Sequence, residues 1–248
     1  MLISVNQLKM FWNVKPEGIL HVGAHEAEEM RAYSKAGWLK NGGIIWVEAQ
    51  PLLANRLLET IASPNSKVIN AAVWDKDDVP LTLKITSNKQ STSLLELGTH
   101  ARTYPDIFVE MEIQVNSRRL DSLLKITDKF DFINLDIQGA ELQALIGLGS
   151  RINEVRWIYT ECNSEEVYKG CTLIHDLDHF LELHGFKRVA TKWARGAGWG
   201  DCLYVKSSSD TFSNYAKYAW MIYVGILSIT SFPKRMLGRK LRQWNLIN

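Results

Sequence analysis

The sequence is poor in cysteine, with only three among 248 residues: Cys162, Cys171 and Cys202. Their number is odd and no two are spaced as CxxC, which argues against both a disulfide framework and a zinc site. We expect all three to be buried free thiols in a reducing cytosol.

A strong excess of one charge is also absent. The formal net charge is +2, and residues 208–248 hold six basic residues and one acid, a net of +5. Residues 1–207 therefore carry a net of −3. Nucleic-acid-binding proteins usually present a strongly basic surface, so we expect no nucleic-acid partner.

Long apolar runs are missing as well. Residues 1–5 do not begin the basic and apolar pattern of a signal peptide. The run from Tyr218 to Phe232 has fifteen uncharged residues, fewer than the ~20 that span a bilayer. These features predict a cytoplasmic protein.

The C-terminal segment differs from the rest of the chain, and we divide the sequence into a domain at residues 1–207 and a tail at residues 208–248. In the tail, the apolar run is followed by the basic stretch Lys234–Arg242. This order is typical of an interfacial membrane anchor. A helix pair docked on the domain or on a second subunit explains it equally well, and the oligomeric state is left open.

Strand and helix patterns alternate along the domain, which predicts an α/β fold with a doubly wound, mostly parallel sheet and a C-terminal helical tail. The predicted strands are 18–22, 44–47, 67–73, 81–85, 132–135, 156–160, and an edge hairpin of 186–191 and 201–205. The predicted helices are 26–36, 52–61, 117–126, 141–146 and 173–183.

Polar residues follow the successive strands at the points where each strand ends. The fourth parallel strand runs into Asp136, Gln138 and Gly139, a glycine turn at 23–27 follows the first strand, and Glu48 follows the second. Open α/β sheets bind ligands in a crevice at the carboxyl ends of their strands. The order of these groups therefore predicts a ligand site at this edge.

Three of these segments resemble motifs of the FkbM family of S-adenosylmethionine-dependent methyltransferases: 21–25, 47–51 and 136–141. The resemblance extends over about residues 18–205. It implies the class I, Rossmann-like methyltransferase fold and O-methylation of a hydroxyl, often on a sugar or polyketide. The family's glycine motif usually begins with an acid, where this chain has His21, and its last glycine is replaced by Ala27.

The resemblance also implies where S-adenosylmethionine binds. This cofactor needs a close backbone turn, an acid for the ribose diol and a flat apolar slot for adenine. The implied cofactor-binding residues are Gly23, His25, Glu48, Ala72, Asp136 and Gln138.

Methyl transfer to a hydroxyl is helped by a general base. We expect Asp136 and Glu161 to be the catalytic residues, because both end central strands near the predicted position of the methyl group. The other candidates for the base are His25, His100, Glu141 and Asp201. For His21, His25 and His100 the alternative is a neutral histidine bonded to the backbone.

A magnesium site built from Asp136 and other carboxylates is chemically reasonable. However, no spacing of acidic residues requires one, so we predict no metal ligand.

Two loops between strands are further candidates for ligand contact. The Ser/Thr-rich stretch 89–94 is expected to meet cofactor or substrate, or to cap the following helix. Trp193 and Trp199 flank a glycine-rich stretch, and aromatic faces suit a carbohydrate acceptor.

Two other functions are compatible with such a sheet. A nicotinamide-dependent oxidoreductase is disfavoured, because the turn after the first strand lacks the second and third glycines of GxGxxG. A catalytically silent module that holds a nucleoside-like ligand, tethered by its tail, stays open because His21 replaces an acid.

Overall fold

The computed structural model describes residues 1–40, 42–61, 65–209 and 220. Its helices are α1 Val5–Trp12, α2 Met30–Ala36, α3 Pro51–Thr60, α4 His100–Thr103, α5 Leu120–Leu123, α6 Glu141–Gly147 and α7 Ile174–Leu183. Its strands are β1 Ile19–Val22, β2 Ile44–Glu48, β3 Ser66–Asn70, β4 Ala72–Val73, β5 Pro80–Thr86, β6 Val109–Arg118, β7 Phe132–Leu135, β8 Trp157–Asn163, β9 Phe186–Trp193 and β10 Trp199–Lys206. Short 3-10 helices lie at Gly149–Glu154 and Ser207–Ser209.

The main sheet has seven strands in the order β3-β2-β1-β7-β8-β10-β9. Its first five strands are parallel, whereas β10 is antiparallel to both β8 and β9. This order confirms the predicted doubly wound sheet and the predicted edge hairpin. Strands β1 to β3 extend the sheet to one side and strands from β7 onwards extend it to the other. The strand order therefore reverses between β1 and β7, and such folds bind ligands at this point.

The core lies on both faces of the central strands. Every residue of β1, β2, β7 and β8 is buried, as expected for parallel strands covered by helices on both sides. The large core cluster includes Leu20, Ile133, Leu135, Ile158 and Leu177. The site-bearing strand ends therefore project from a rigid centre.

Local sequence explains where several helices begin and end. Ser4 and Gln7 form a capping box at the start of α1, and Pro51 occupies the first turn of α3. Helix α2 ends at Gly37 in the left-handed conformation, with φ of 80°. It begins four residues later than predicted, because His25 and Ala27 have φ values of 45° and 56° and cannot be helical.

The predicted third strand, 67–73, is wrong as a single element. It breaks at Ala71, whose N–H donates to the Glu48 carbonyl at 3.0 Å. After this break Ala72 pairs with Ser117 in a second, three-stranded sheet of order β4-β6-β5. The chain thus leaves the main sheet directly beside the end of β2.

The predicted helix 117–126 is also wrong at its start. Ser117 and Arg118 end β6, a long strand that the sequence analysis did not predict, and helical geometry is confined to α5. The Ser117 N–H donates to the Val79 carbonyl at 2.9 Å, so sheet pairing outweighs local helix preference here.

The connection between β5 and β6, residues 87–108, carries α4 and extends to the carboxyl edge of the main sheet. Its residues line the two clefts described below. We call it the β5–β6 connection.

Cys162, Cys171 and Cys202 are buried and free, as predicted. No helix in the described ranges is long and apolar enough to cross a membrane. Residues 210–219 and 221–248 lie outside the described residues. The domain boundary, the helical tail and both interpretations of the tail therefore stay predictions.

Gly147, at the end of α6, gives a test of the packing between helix and sheet. A Cβ built there would lie 2.3 Å from the Trp74 carbonyl oxygen, so Gly147→Ala should lower the free energy of unfolding by about 1–3 kcal/mol. An unhindered Gly→Ala change in a helix would instead stabilise by about 1 kcal/mol. Urea denaturation measures the difference, and Ile146→Ala, at an exposed position of the same helix, is the control. A more stable Gly147→Ala variant would contradict this packing.

Candidate active site

Two adjoining clefts lie at the carboxyl edge of the main sheet. The narrow cleft spans about 550 Å³ and the wide cleft about 1340 Å³, and both volumes include space that is open to solvent. Gly23, His25, Gln90 and Asp136 line both. The two spaces therefore meet where β1 and β7 end.

Gly23 allows the ends of three strands to approach one another. Its N–H donates to the Val47 carbonyl at 2.9 Å, and its φ is 87°. A Cβ at this position would lie 1.9 Å from the Asp136 carbonyl oxygen. Only glycine fits this turn without displacing backbone.

Glu48 ties the turn after β1 to the turn after β2. Its two carboxylate oxygens accept hydrogen bonds from the backbone N–H groups of His25 and Gln50, each at 2.8 Å. Burial raises the pKa of Glu48, and these two hydrogen bonds oppose that rise. Each oxygen keeps a second lone pair, so a ligand diol can still donate to it.

An apolar slot lies beside Glu48 in the narrow cleft. Its walls are the side chains of Ala71, Val73, Leu83, Leu94 and Ile137. Ala72, the predicted contact, is buried in β4 and lines neither cleft. Successive side chains of an extended segment point to opposite sides. Ala71 and Val73 therefore face the slot, and Ala72 between them points away from it.

Gln138 connects the two predicted catalytic carboxylates. Its Nε2 donates to Asp136 Oδ1 at 2.6 Å and to Glu161 Oε2 at 2.8 Å. Its Oε1 accepts from the Tyr168 hydroxyl. Gln138 has φ of 57°, a left-handed conformation that turns its side chain back towards the strand end.

Burial dominates the electrostatics of this carboxylate pair. Burial raises the pKa of Asp136, and the charge of Glu29 raises it further. Burial also raises the pKa of Glu161 well above its usual value, with added repulsion from Asp136, Glu141 and Asp201. A cation or a proton in this part of the cleft is therefore favoured.

Glu141 and Asp201 are engaged by the fold itself. Glu141 Oε1 accepts from the N–H groups of Ile137 and Gly139, at 3.2 and 3.1 Å. Asp201 accepts from the Tyr159 hydroxyl and the Leu2 N–H. Asp201 lies opposite Glu161 in the β8–β10 pairing and lines the wide cleft.

The candidate histidines differ in their environments. His21 is buried, and burial lowers its pKa to about 4, so the ring is neutral. Its Nδ1 lies 3.3 Å from the Tyr33 hydroxyl. His25 is paired through Nδ1 with Glu28 Oε1 at 2.6 Å, a carboxylate rather than the backbone partner that the alternative prediction gave it.

The structure brings together most of the predicted residues. Gly23, His25, Glu48, Asp136, Gln138 and Glu161 all line one or both clefts. The stretch 89–94 also contributes to both clefts, and Trp199 lines the wide one. Trp193 lines neither cleft and is 44% exposed.

The contacts of two residues in this network were not predicted from the sequence. Ser91 Oγ contacts His100 Nε2 at 3.1 Å, and the hydroxyl of Tyr168 bonds to Gln138. The hydroxyl-rich composition of 89–94 was the available signal for Ser91. In the described part of the chain, no group of three or more His, Cys, Asp or Glu side chains is arranged to hold a metal ion.

The site can be compared with known proteins. The family model described as Methyltransferase FkbM domain matches residues 21–188. The chain belongs to this family. It is therefore a methyltransferase by family, and its cofactor is S-adenosylmethionine.

One curated relative is the 2-O-methyltransferase NoeI of Sinorhizobium fredii, 32% identical over 82 residues. The match spans 32% of this chain and 34% of that protein, about a third of each.

Similar solved structures include a ribosomal protein L11 methylase from Lactobacillus delbrueckii, with a TM-score of 0.47 and 10% identity, covering 82% of this chain and 77% of that one. Another is a magnesium protoporphyrin IX methyltransferase from Synechocystis with bound SAM, with a TM-score of 0.41 and 10% identity, covering 76% of this chain and 69% of that one. Likeness at this level carries no functional argument.

The groups that line the narrow cleft match the adenosine part of the cofactor in chemical character. Gly23 presents backbone without a side chain to this cleft, Glu48 has lone pairs for a diol, and the apolar slot has the character of an adenine site. Asp136 lines both clefts and Gln138 lines the wide one, and their contact with the methionine part of the cofactor stays a prediction.

If Glu48 holds the ribose diol, Glu48→Ala should weaken binding of S-adenosylhomocysteine by about 1.5–3 kcal/mol, the range for hydrogen bonds to a charged group. Isothermal titration calorimetry measures this change. Glu59→Ala, at an exposed position of α3, is the control. Unchanged affinity in a folded Glu48→Ala protein would remove Glu48 from the site.

The raised pKa of Glu141 should make the free energy of unfolding depend on pH. Burial raises its pKa from 4.5 to about 7, so the folded state favours the protonated carboxyl. This contribution is fully present below pH 4.5 and is lost as pH rises through about 7. At about 1.4 kcal/mol per pKa unit, the loss amounts to roughly 3 kcal/mol.

Glu141→Gln keeps an oxygen for the Ile137 and Gly139 N–H groups but cannot ionise. Its free energy of unfolding should therefore fall less than that of the wild type between pH 5 and pH 8, as measured by urea denaturation. Parallel pH curves for the two proteins would show that Glu141 does not titrate as described.

Proposed function

We propose that this protein transfers the methyl group of S-adenosylmethionine to a hydroxyl oxygen of a sugar, a glycan or a related small molecule. The observation that carries the proposal is the junction of the two clefts at Asp136, where a cofactor site opens into a second, larger space. The partial match to a 2-O-methyltransferase supports an oxygen acceptor.

The bound cofactor supplies an electrophilic methyl group on its sulfonium. The protein positions the two reactants: the narrow cleft holds adenosine, and the wide cleft holds the acceptor hydroxyl in line with the methyl group. Such positioning supplies much of the acceleration when the electrophile is already activated.

The carboxylate pair has two tasks in this proposal. The ionised member of the pair faces the sulfonium with negative charge and accepts the hydroxyl proton as the new C–O bond forms and the bond from the methyl group to sulfur breaks. Their raised pKa values bring proton acceptance closer to neutral pH, where a general base is most effective. Gln138 holds the two carboxylates in one orientation.

A silent module that binds the cofactor without transferring a methyl group is the second candidate. It is favoured by His21, which is neutral and buried where the family usually has an acid. A methyl-release assay separates it from an enzyme. Family membership, together with the missing glycines, leaves the nicotinamide alternative without support.

The location and partners of the protein are part of the same proposal. We infer a cytoplasmic enzyme that acts on a small-molecule or glycan acceptor, without nucleic acid, and contacts membranes peripherally through its tail. The support is the charge and hydropathy pattern of the sequence.

The proposal is tested by methyl transfer from labelled S-adenosylmethionine into cell-envelope extracts and purified glycosides, with the modified atom identified by NMR. Asp136→Asn and Glu161→Gln keep side-chain shape and remove charge, so turnover should fall by about 10²–10⁴-fold. Glu182→Gln, at an exposed position of α7, should keep full turnover.

Binding of S-adenosylhomocysteine should persist in Glu161→Gln, which separates chemistry from cofactor binding. Full turnover in both variants would exclude the carboxylate pair from catalysis. A methyl group found only on nitrogen, carbon or sulfur would refute the hydroxyl acceptor.

A further inference from the structure

Strand β6 has one unpaired edge in the described part of the chain. On one side β6 pairs with β5 along its length, whereas on the other side β4 pairs only with Ser117 and Arg118. The β5–β6 register skips Glu110, which marks a β-bulge, and a bulge bends its strand. The regular part of the unpaired edge is therefore 111–116.

Three hydrogen bonds show which backbone groups of β6 point outward. The Ser117 N–H donates to the Val79 carbonyl at 2.9 Å, so the odd-numbered residues of the regular ladder bond to β5. Lys84, which lies opposite Glu112 in β5, instead exchanges hydrogen bonds with Ser93 on its far side, at 2.9 and 3.2 Å. The groups that point away from β5 are thus the N–H and C=O of three alternate residues: Glu112, Gln114 and Asn116.

This edge is open to solvent. The side chains of Met111, Glu112, Gln114 and Asn116 are exposed, and among the described residues no other strand pairs with 112–116. Met111 is 56% exposed and Phe108, ahead of the bulge, is 58% exposed. A row of unpaired N–H and C=O groups beside exposed apolar side chains is a template for another strand.

A second copy of this chain fits this edge in one register. Two identical strands pair antiparallel about a two-fold axis, and the outward groups meet only when the axis passes through a residue. An axis at Glu112, or at one of the two residues before it, places carboxylates opposite each other, which is unfavourable. An axis at Gln114 or beyond places the second copy against Ser117, where β4 already pairs. An axis at Ile113 avoids both conflicts.

With this axis, the contacts are complementary on both faces of the paired strands. Glu112 lies opposite Gln114 of the second copy, and this pair occurs twice in the dimer. Gln114 Nε2 donates one of its two N–H groups to the Thr82 hydroxyl at 2.9 Å, and the other is left for that carboxylate. Side chains on the opposite face form apolar cross-strand pairs, which stabilise sheets. These are Ile113 with its own copy and Met111 with Val115.

We propose that the chain forms a symmetric dimer in which the β6 strands of two copies pair antiparallel about Ile113. This pairing joins the two small sheets into one. The occupant of the edge is a second copy because the edge is complementary to itself in charge, in apolar contacts and in backbone hydrogen bonds. The dimer does not depend on the identity of the methyl acceptor, since β6 lines neither cleft.

Sedimentation equilibrium of the full-length protein tests the dimer, which should dissociate to monomer on dilution. Gln114→Glu places a carboxylate opposite Glu112 at two points of the interface, so the dissociation constant should rise on the order of tenfold. Gln114→Lys places an ammonium there and should lower it. Asn55→Glu and Asn55→Lys, at an exposed position of α3, change the net charge equally and should have no effect. A monomer at all concentrations, or equal dissociation constants in both Gln114 variants, overturns the proposal.

Cysteine cross-linking tests the register. Ile113 faces its own copy at a non-hydrogen-bonded position, where the two Cα atoms lie about 4.5 Å apart, within the range that a disulfide spans. Ile113→Cys should therefore give a cross-linked dimer with diamide as oxidant. Glu112→Cys, which is offset from its own copy, should cross-link more slowly, and the wild type, with its three buried cysteines, gives the background. Faster cross-linking of Glu112→Cys, or none of Ile113→Cys, overturns the proposal.

Hydrogen exchange of the wild type distinguishes a second copy from other occupants of this edge and does not depend on the folding of variants. The amides of Glu112 and Gln114 should be protected in the dimer and should lose this protection on dilution to monomer. Protection that persists in a monomer would assign the edge to another segment of the same chain. Rapid exchange at every concentration would leave the edge unpaired. Either result overturns the proposal.

Discussion

The close approach of Gly23 to the Asp136 carbonyl is the constraint on which the site depends. With no side chain at this position, the end of β1 lies against the end of β7, and the turn that follows can bond to the end of β2. Glu48 then fixes that turn from the other side. The narrow cleft exists because these three strand ends are held at backbone contact distance.

Buried negative charge is the second organising feature. Asp136, Glu161 and Asp201 all have pKa values raised by burial. The charge of Asp136 raises the pKa of the other two further, and the charge of Asp201 also raises that of Glu161. The fold offsets part of this cost with donors: the amide of Gln138 for the first two, and the Tyr159 hydroxyl for the third. A cationic methyl donor is attracted to such a site, and its neutral product is attracted less. Charge therefore favours exchange of product for substrate.

Much of the fold could be predicted because its signals are local. The run Phe132–Leu135 followed by polar residues is sufficient to place a buried strand and a ligand edge. The break at Ala71 could not be predicted, since 67–73 reads as one strand. Its cause is pairing of Ala72 with Ser117, 45 positions away. Strand β6 was missed although its apolar residues alternate over Val109–Val115, so the signal for it was present.

In the candidate site too, features set by local sequence could be predicted and features set by distant contacts could not. The positions of Gly23, Glu48 and Asp136 beside the clefts could be predicted because each lies at the end of a strand. The contacts among Ser91, His100 and Tyr168 could not, because they depend on side-chain directions from segments up to 77 residues apart. The sequence indicated Ala72 as the slot residue, but its neighbours Ala71 and Val73 line the slot. Side chains alternate between the two faces of a strand, so an error of one position selects the wrong face.

The main sheet and the β5–β6 connection line different parts of the two clefts, so the two spaces can be changed separately. The narrow cleft is lined mainly by strand ends that the core holds in place, whereas His100 and Tyr104, in the wall of the wide cleft, come from a segment joining two strands of the separate small sheet. A substitution within residues 95–108 can therefore change the lining of the wide cleft and leave that of the narrow cleft as it is. The stretch 89–94 contributes to both clefts, and its Gln90 lines the two of them, so a substitution of Gln90 changes both spaces together.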